Sequence, residues 1–229
     1  MEINIYFVKM VTKFVCEYNG KNFCGFQRQK NLRTVQLVLE EALSKYFGER
    51  IKIVGSGRTD TGVHAKGQVC SFIKEVKDLY KLNTAINAFL PTDVSVRDFE
   101  AMPDDFHAQF SAKAKTYVYK CYVSKFRSAL RDDTHLQLYT MPDINKAKAA
   151  AKKFVGTMDF KKYTTDKTDS KGFVRTIYSF DINTSGDEIH LVVKGSGFMR
   201  NMVRILCGAV LGLDKTLPAH ALYLDNVEY

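Results

Sequence analysis

The hydrophobic positions fall into short runs separated by polar loops, and the spacing within each run predicts its form. VTKFVCEY (11–18) reads as a strand, followed by the polar loop NGKNFCGFQRQKNLR. Val35, Val38, Leu39, Ala42, Leu43 and Phe47 then return at helical spacing, with Thr34 placed to cap the start and Gly48 to end it. IKIVG (51–55) and GQVCSFI (67–73) predict buried strands. Asp78 opens a second helix through Leu79, Leu82, Ile86 and Phe89, stopped by Pro91, and DVSVRDFE (93–100) alternates as a strand. The order is βαββαβ.

The same order recurs downstream. KTYVYKCYV (115–123) predicts a strand. DINKAKAAAKKFVG (143–156) predicts a helix with Ile144, Ala147, Ala151 and Phe154 inward and Gly156 closing it. GFVRTIYSFDI and EIHLVVKG flank the turn signal Ser185-Gly186. GFMRNMVRILCGAVLG (197–212) predicts an apolar helix, and LYLDNVEY (222–229) a last strand. Two ferredoxin-like halves are expected, residues 1–103 and 104–229, meeting near Pro103. The fold class is α+β: one broad, mixed, mainly antiparallel sheet with helices on one face and a cleft between the halves.

Composition narrows the class. The chain has 229 residues, 45% hydrophobic and 26% charged, enough for a core without staples. Its net charge of +9 favours an anionic partner. Five cysteines without a C-x-x-C pair indicate neither a disulfide framework nor a zinc site, and a reducing compartment, the cytoplasm, is expected. No apolar run reaches membrane-spanning length, and the N-terminal stretch does not read as a signal peptide.

The candidate chemistry centres on GSGRTDTGVHA (55–65), which sets Asp60 among glycines. Asp60-Thr61-Gly62 is the tripeptide of aspartic proteases, but two aspartates must share a proton in that chemistry. The chain holds one such tripeptide, with Arg58 two residues before it, and a guanidinium opposes a shared proton. Such an aspartate suits a nucleophile or a stabiliser of a developing cation; the structural alternative is an Arg-Asp pair bracing a turn. His64 alone is a weak metal partner and reads as a structural hydrogen-bonder. Basic and aromatic residues interleave in CGFQRQKNLR, KAKTYVYK and GFMRNMVR, a combination that neutralises phosphates and stacks on exposed bases, and together these segments suggest RNA.

At this point the sequence resembles the TruA-type tRNA pseudouridine synthases. The similarity runs through EYNGKNFCGFQRQKNLRTVQLVLEEAL, GSGRTDTGVHAKGQV, PDDFHAQFSAKAKTYVYK, GTMDFKKY with VRTI, and GSGFMRNMVRILCGAVLG, in that order. The resemblance implies an isomerase acting on uridines in the anticodon stem-loop of tRNA, positions 38–40 by the family's habit, working as a homodimer without cofactor or metal. It implies Asp60 as nucleophile, Arg58 as helper in extruding the base, Tyr117 stacked on the extruded uracil and Arg204 paired with Asp60. RNA contacts are expected from Gln27, Arg28, Gln29, Lys30, Arg33, His64 and Arg200. The chain departs from the pattern at Gln109, where many members carry arginine, in a longer apolar stretch before Val11, and in a shorter link, LDKTLPAHA. The rival classes are a non-catalytic RNA-binding module, which has no need of Asp60, and an RNA uridine methyltransferase, whose glycine-rich methyl-donor loop is missing.

Overall fold

The computed structural model describes residues 10–168 and 172–229; the N-terminal stretch read above lies, up to residue 9, outside the described residues. The elements in chain order are β1 (Val11–Tyr18), α1 (Val35–Phe47), β2 (Val54–Gly55), β3 (His64–Ile73), α2 (Leu79–Phe89), β4 (Val94–Met102), β5 (Ala114–Val123), β6 (Leu136–Leu138), α3 (Ile144–Lys152), β7 (Gly156–Asp159), β8 (Val174–Ser185), β9 (Glu188–Gly195), α4 (Met202–Val210) and β10 (Leu222–Glu228). Among the described residues all ten strands form one sheet in the order β4-β1-β3-β10-β5-β9-β8-β7, with β2 on β3 and β6 on β5. The fold is therefore α+β with a broad sheet, as expected. Most pairings are antiparallel; β3–β10 and β5–β6 are parallel.

Each half runs fourth–first–third–second across the sheet: β4-β1-β3-β2, then β10-β5-β9-β8. The halves join where β10 lies beside β3, pairing Tyr223 with His64 and Leu224 with Ala65. β2 takes the other end of the same β3 edge, through Val54 and Gly55. At this join Gly67 allows close approach, since a Cβ there would stand 2.2 Å from the Asp225 carbonyl oxygen.

Alternation places one face of the sheet in the core. Phe14 and Cys16 of β1, Tyr117, Tyr119 and Cys121 of β5, and Ile189, Leu191 and Val193 of β9 all point into it. They share a single apolar cluster with Leu39 and Leu43 of α1, Leu82 and Ile86 of α2, Ala147 and Ala151 of α3, and Leu206 and Cys207 of α4. Lys66, Lys120, His190 and Tyr223 lie together on the opposite, polar face. Among the described residues no helix is long and apolar enough to cross a membrane.

Four local expectations are corrected. The strand predicted over 51–55 pairs only at Val54–Gly55, because side chains of α1 take the backbone upstream of it. The Ile53 N–H donates to Glu40 (3.2 Å), its carbonyl accepts from Gln36 (3.3 Å), and the Ile51 N–H donates to Ser44 (2.9 Å). The last helix starts at Met202, not 197, because Asn201 is left-handed at φ 59°. α3 ends at Lys152, and Gly156, at φ 117°, opens a strand instead of closing the helix. Finally, β6 and β7, of three and four residues, are additions that no periodicity announced.

Candidate active site

The loop between β2 and β3 is fastened from several directions. Its upstream end is pinned to the sheet: the Ser56 hydroxyl donates to Gln68 Oε1 (2.6 Å), and Gln68 Nε2 donates to the Gly57 carbonyl (2.8 Å). Lys115 Nζ reaches across from β5 to the Ser56 carbonyl at 2.5 Å. Thr59 turns inward, 2.8 Å from the Tyr18 hydroxyl, and its carbonyl accepts from the Phe26 N–H. The Val63 N–H then bonds the Asp60 carbonyl at 3.1 Å, closing a turn whose Gly62 sits at φ 80°, a conformation that glycine adopts without steric cost. Gly25 packs behind this turn; a Cβ there would come within 2.9 Å of the Thr59 carbonyl oxygen. The sequence folds this way because a tight glycine turn follows a buried threonine, and the result presents the Asp60 carboxylate at the surface of the core, about one-third exposed (32%).

Residues from the second half face it. Arg204 Nη1 stands 4.0 Å from Asp60 Oδ2, and the same guanidinium donates to the Leu217 carbonyl (2.6 Å) and to Asn201 Oδ1 (2.7 Å). Those two bonds fix its direction. Tyr117, buried on β5, meets Phe198 edge-to-face at 5.3 Å. Burial, and then the negative charge of Asp60, push the Tyr117 phenol above its ordinary value, so its hydroxyl keeps its proton and remains a donor. Asp60, Arg204 and Tyr117 therefore converge, although 57 residues of chain separate Asp60 from Tyr117 and 87 separate Tyr117 from Arg204 (117 − 60 and 204 − 117). A partly exposed carboxylate beside a fixed cation and an aromatic wall is suited to attack an electrophilic carbon of a flat ligand.

Arg58 is exposed and makes no ion pair with Asp60 among the described residues, so the guanidinium beside the carboxylate is that of Arg204. His64, grouped above with RNA contacts, is corrected to a buried position. Its Nδ1 accepts from the Gly20 N–H (3.0 Å), and its Nε2 faces the carbonyls of His220 (2.9 Å) and Asp133 (3.0 Å). It also stacks on Tyr223 at 4.7 Å, so both ring nitrogens are occupied within the protein.

Gln27, Arg28, Gln29 and Lys30 are exposed on the loop before α1, as is Arg200 before α4. Arg28 bonds Glu40 at 2.8 Å and Gln29 the Cys24 carbonyl at 2.8 Å. Arg33 forks onto both oxygens of Asp93 (2.8 Å each) and lies 4.0 Å over the Phe23 ring, so its donors are engaged in bracing the loop. Gln109 is exposed. Sequence reasoning missed Lys115, Thr59 and Phe198 as parts of the site. KAKTYVYK and GFMRNMVR contain two of them, but neither string shows which residue turns toward Asp60.

Comparison with known proteins gives the family. A family model described as tRNA pseudouridine synthase matches residues 15–111 and 150–217. A protein from Citrifermentans bemidjiense, named tRNA pseudouridine synthase A, is 42% identical over 87% of this chain and 80% of its own. One from Bacillus licheniformis with the same name is 38% identical over 96% of this chain and 99% of its own. One from Bacillus cereus, tRNA pseudouridine synthase A 1, is 36% identical over 95% and 98%. A solved structure of a Cbf5–Nop10–Gar1 complex aligns over 91% of this chain and 56% of its own, with TM-score 0.42 and 11% identity, too slight a likeness to add to the sequence relation.

Proposed function

The chain belongs to the tRNA pseudouridine synthase family, an isomerase family, and from that premise we propose that it converts uridine to pseudouridine in the anticodon stem-loop of tRNA, at positions 38–40, with Asp60 as nucleophile. In this reading the target nucleotide leaves the stack, because the scissile bond is hidden within it. Asp60 attacks ribose C1′ or uracil C6. The N1–C1′ bond breaks, the uracil turns, and C5 bonds to C1′; the bond to Asp60 then breaks to restore the carboxylate, and the hydrogen on C5 leaves as a proton while N1 gains one. Tyr117 supplies the flat partner for the extruded ring, Arg204 holds the Asp60 carboxylate, and Arg58, exposed at the mouth of the loop, helps displace the base.

The observation that carries this reading is the 4.0 Å approach of Arg204 to Asp60 beside Tyr117, two side chains of the second half facing one partly open carboxylate of the first. The division into units 1–103 and 104–229 fits it, since neither part holds all three. We place the enzyme in the cytoplasm as a homodimer whose basic surface takes up tRNA. No step draws on a cofactor or metal.

Tritium release from tRNA labelled at uracil C5, without any methyl donor, tests the reading. Asp60→Asn is expected to abolish release while leaving tRNA affinity within about twofold, since the base contacts and phosphate contacts that set affinity are elsewhere. Release by Asp60→Asn at the native rate overturns the assignment, and dependence on a methyl donor makes the protein a methyltransferase instead.

A further inference from the structure

The polar face of the sheet carries a cluster that the isomerisation does not use. Glu188 and His190 alternate with the buried Ile189 and Leu191 on β9, so both project away from the core that holds Tyr117. His135 arrives beside them at the end of the segment that leads into β6. His190 Nε2 lies 3.1 Å from one Glu188 oxygen and His135 Nε2 lies 3.9 Å from the other, and one ligand atom from each of the three residues falls within 4.8 Å of the others.

His135 Nδ1 lies 2.9 Å from the Thr134 hydroxyl, whose oxygen also stands 3.4 Å from the Arg131 carbonyl. In the tautomer whose Nδ1–H is donated to that hydroxyl, Nε2 turns a lone pair toward the Glu188 carboxylate. Two imidazole nitrogens and a carboxylate oxygen then converge on one point, a geometry that suits a cation between them.

The neighbouring cations have other partners. Arg131 Nη1 bonds Asp187 at 2.8 Å and comes no closer than 3.8 Å to Glu188. Lys120 Nζ lies 4.1 Å over the Tyr223 ring.

We propose that His135, Glu188 and His190 bind one zinc-class dication through their two Nε2 atoms and a Glu188 oxygen, with water in the fourth position; the proton that His190 Nε2 now directs at Glu188 moves to Nδ1 of the same ring. Two imidazoles and one carboxylate match zinc's preference for nitrogen and oxygen donors and disfavour magnesium or calcium. Zinc–ligand distances of about 2.0–2.2 Å require the two rings to draw inward by roughly 1 Å. Thr134 holds the His135 tautomer, the outer hydrogen bond that ligating histidines commonly make. The ion would staple the segment before β6 to β9, on the face of the sheet away from Asp60, and takes no part in bond making.

Chelator-stripped full-length protein titrated with zinc chloride, with magnesium chloride as the comparison, tests this by calorimetry and thermal melting. One equivalent of zinc is expected to bind, with magnesium silent, and to raise Tm by roughly 5–10 °C at zinc one hundredfold above Kd. His135→Gln and His190→Gln are each expected to weaken zinc binding at least tenfold, and Thr134→Val by about tenfold. Tritium release from C5-labelled tRNA should be the same with and without zinc. His190 stands partly exposed, so His190→Gln keeps the test open if the His135 variant fails to fold. Absence of stoichiometric binding by the native chain, or undiminished binding by His190→Gln, overturns the proposal.

Discussion

Arg204 divides its guanidinium among the Leu217 carbonyl, Asn201 and the Asp60 carboxylate. A lysine supplies a point charge in place of that planar fork and cannot serve three partners in fixed directions. Arg204→Lys is therefore expected to lower kcat about 10²-fold with KM little changed, as measured by single-turnover tritium release. The identities of Asp60, Tyr117 and Arg204 were legible because each sits in a compact motif. Which arginine approaches Asp60 followed from the family resemblance, which paired it with Arg204, and not from spacing along the chain. Arg58 is two residues away along the chain yet points to solvent, whereas Arg204 is brought in by the packing of α4 against β5. Thr59, turned inward between Arg58 and Asp60, is why closeness along the chain does not become closeness in space.

The long elements with full periodicity were readable: Thr34 and Asp78 cap α1 and α2, with oxygens accepting from Leu37 and Lys81. What the pattern could not show was competition for backbone groups, as when Glu40, Gln36 and Ser44 claim the segment before β2. The join between β3 and β10 was also hidden, since a parallel pairing of two residues leaves no periodic trace. Its sensitivity can be measured. Gly67→Ala puts a methyl group into the Asp225 backbone, and a loss of roughly 2–3 kcal/mol is expected by urea unfolding.

His64 secures the same junction in a pH-dependent way. Burial lowers its pKa from 6.5, so the unfolded chain takes up a proton that the folded ring refuses. The stability His64 contributes is whole above about pH 6.5 and declines as pH falls below it. Tm should therefore fall more from pH 7 to pH 5 in the native protein than in His64→Gln. His135, whose pKa burial also lowers, sustains part of the effect in both.

For the whole molecule, the excess of basic residues, a net charge of +9, favours a polyanionic partner, and on the proposed function that partner is tRNA. Lys30 lies exposed on the loop before α1, while Arg28 and Arg33 there are braced against Glu40 and Asp93. Lys30→Ala is expected to weaken tRNA binding and to reduce the slope of log K against log salt by about 0.7–0.9, the release of one counterion, in filter-binding titrations from 50 to 200 mM salt. Equal slopes for both proteins would remove Lys30 from the phosphate contacts. The βαββαβ repeat was visible in element order alone, but the strand order that turns two repeats into one sheet comes from the shared edge of β3.

That shared edge has a consequence for manufacture. β10 is made after every other element described above, and His220, which receives His64, and Leu217, which steers Arg204, come just ahead of it. A growing chain can therefore shape the Asp60 turn early, as amino-terminal segments fold first, yet it lacks the strand that docks the two repeats. Translation itself keeps the half-made protein silent: a nascent polypeptide that stops short of Leu217 has its aspartate in place and nothing to steer the guanidinium opposite it.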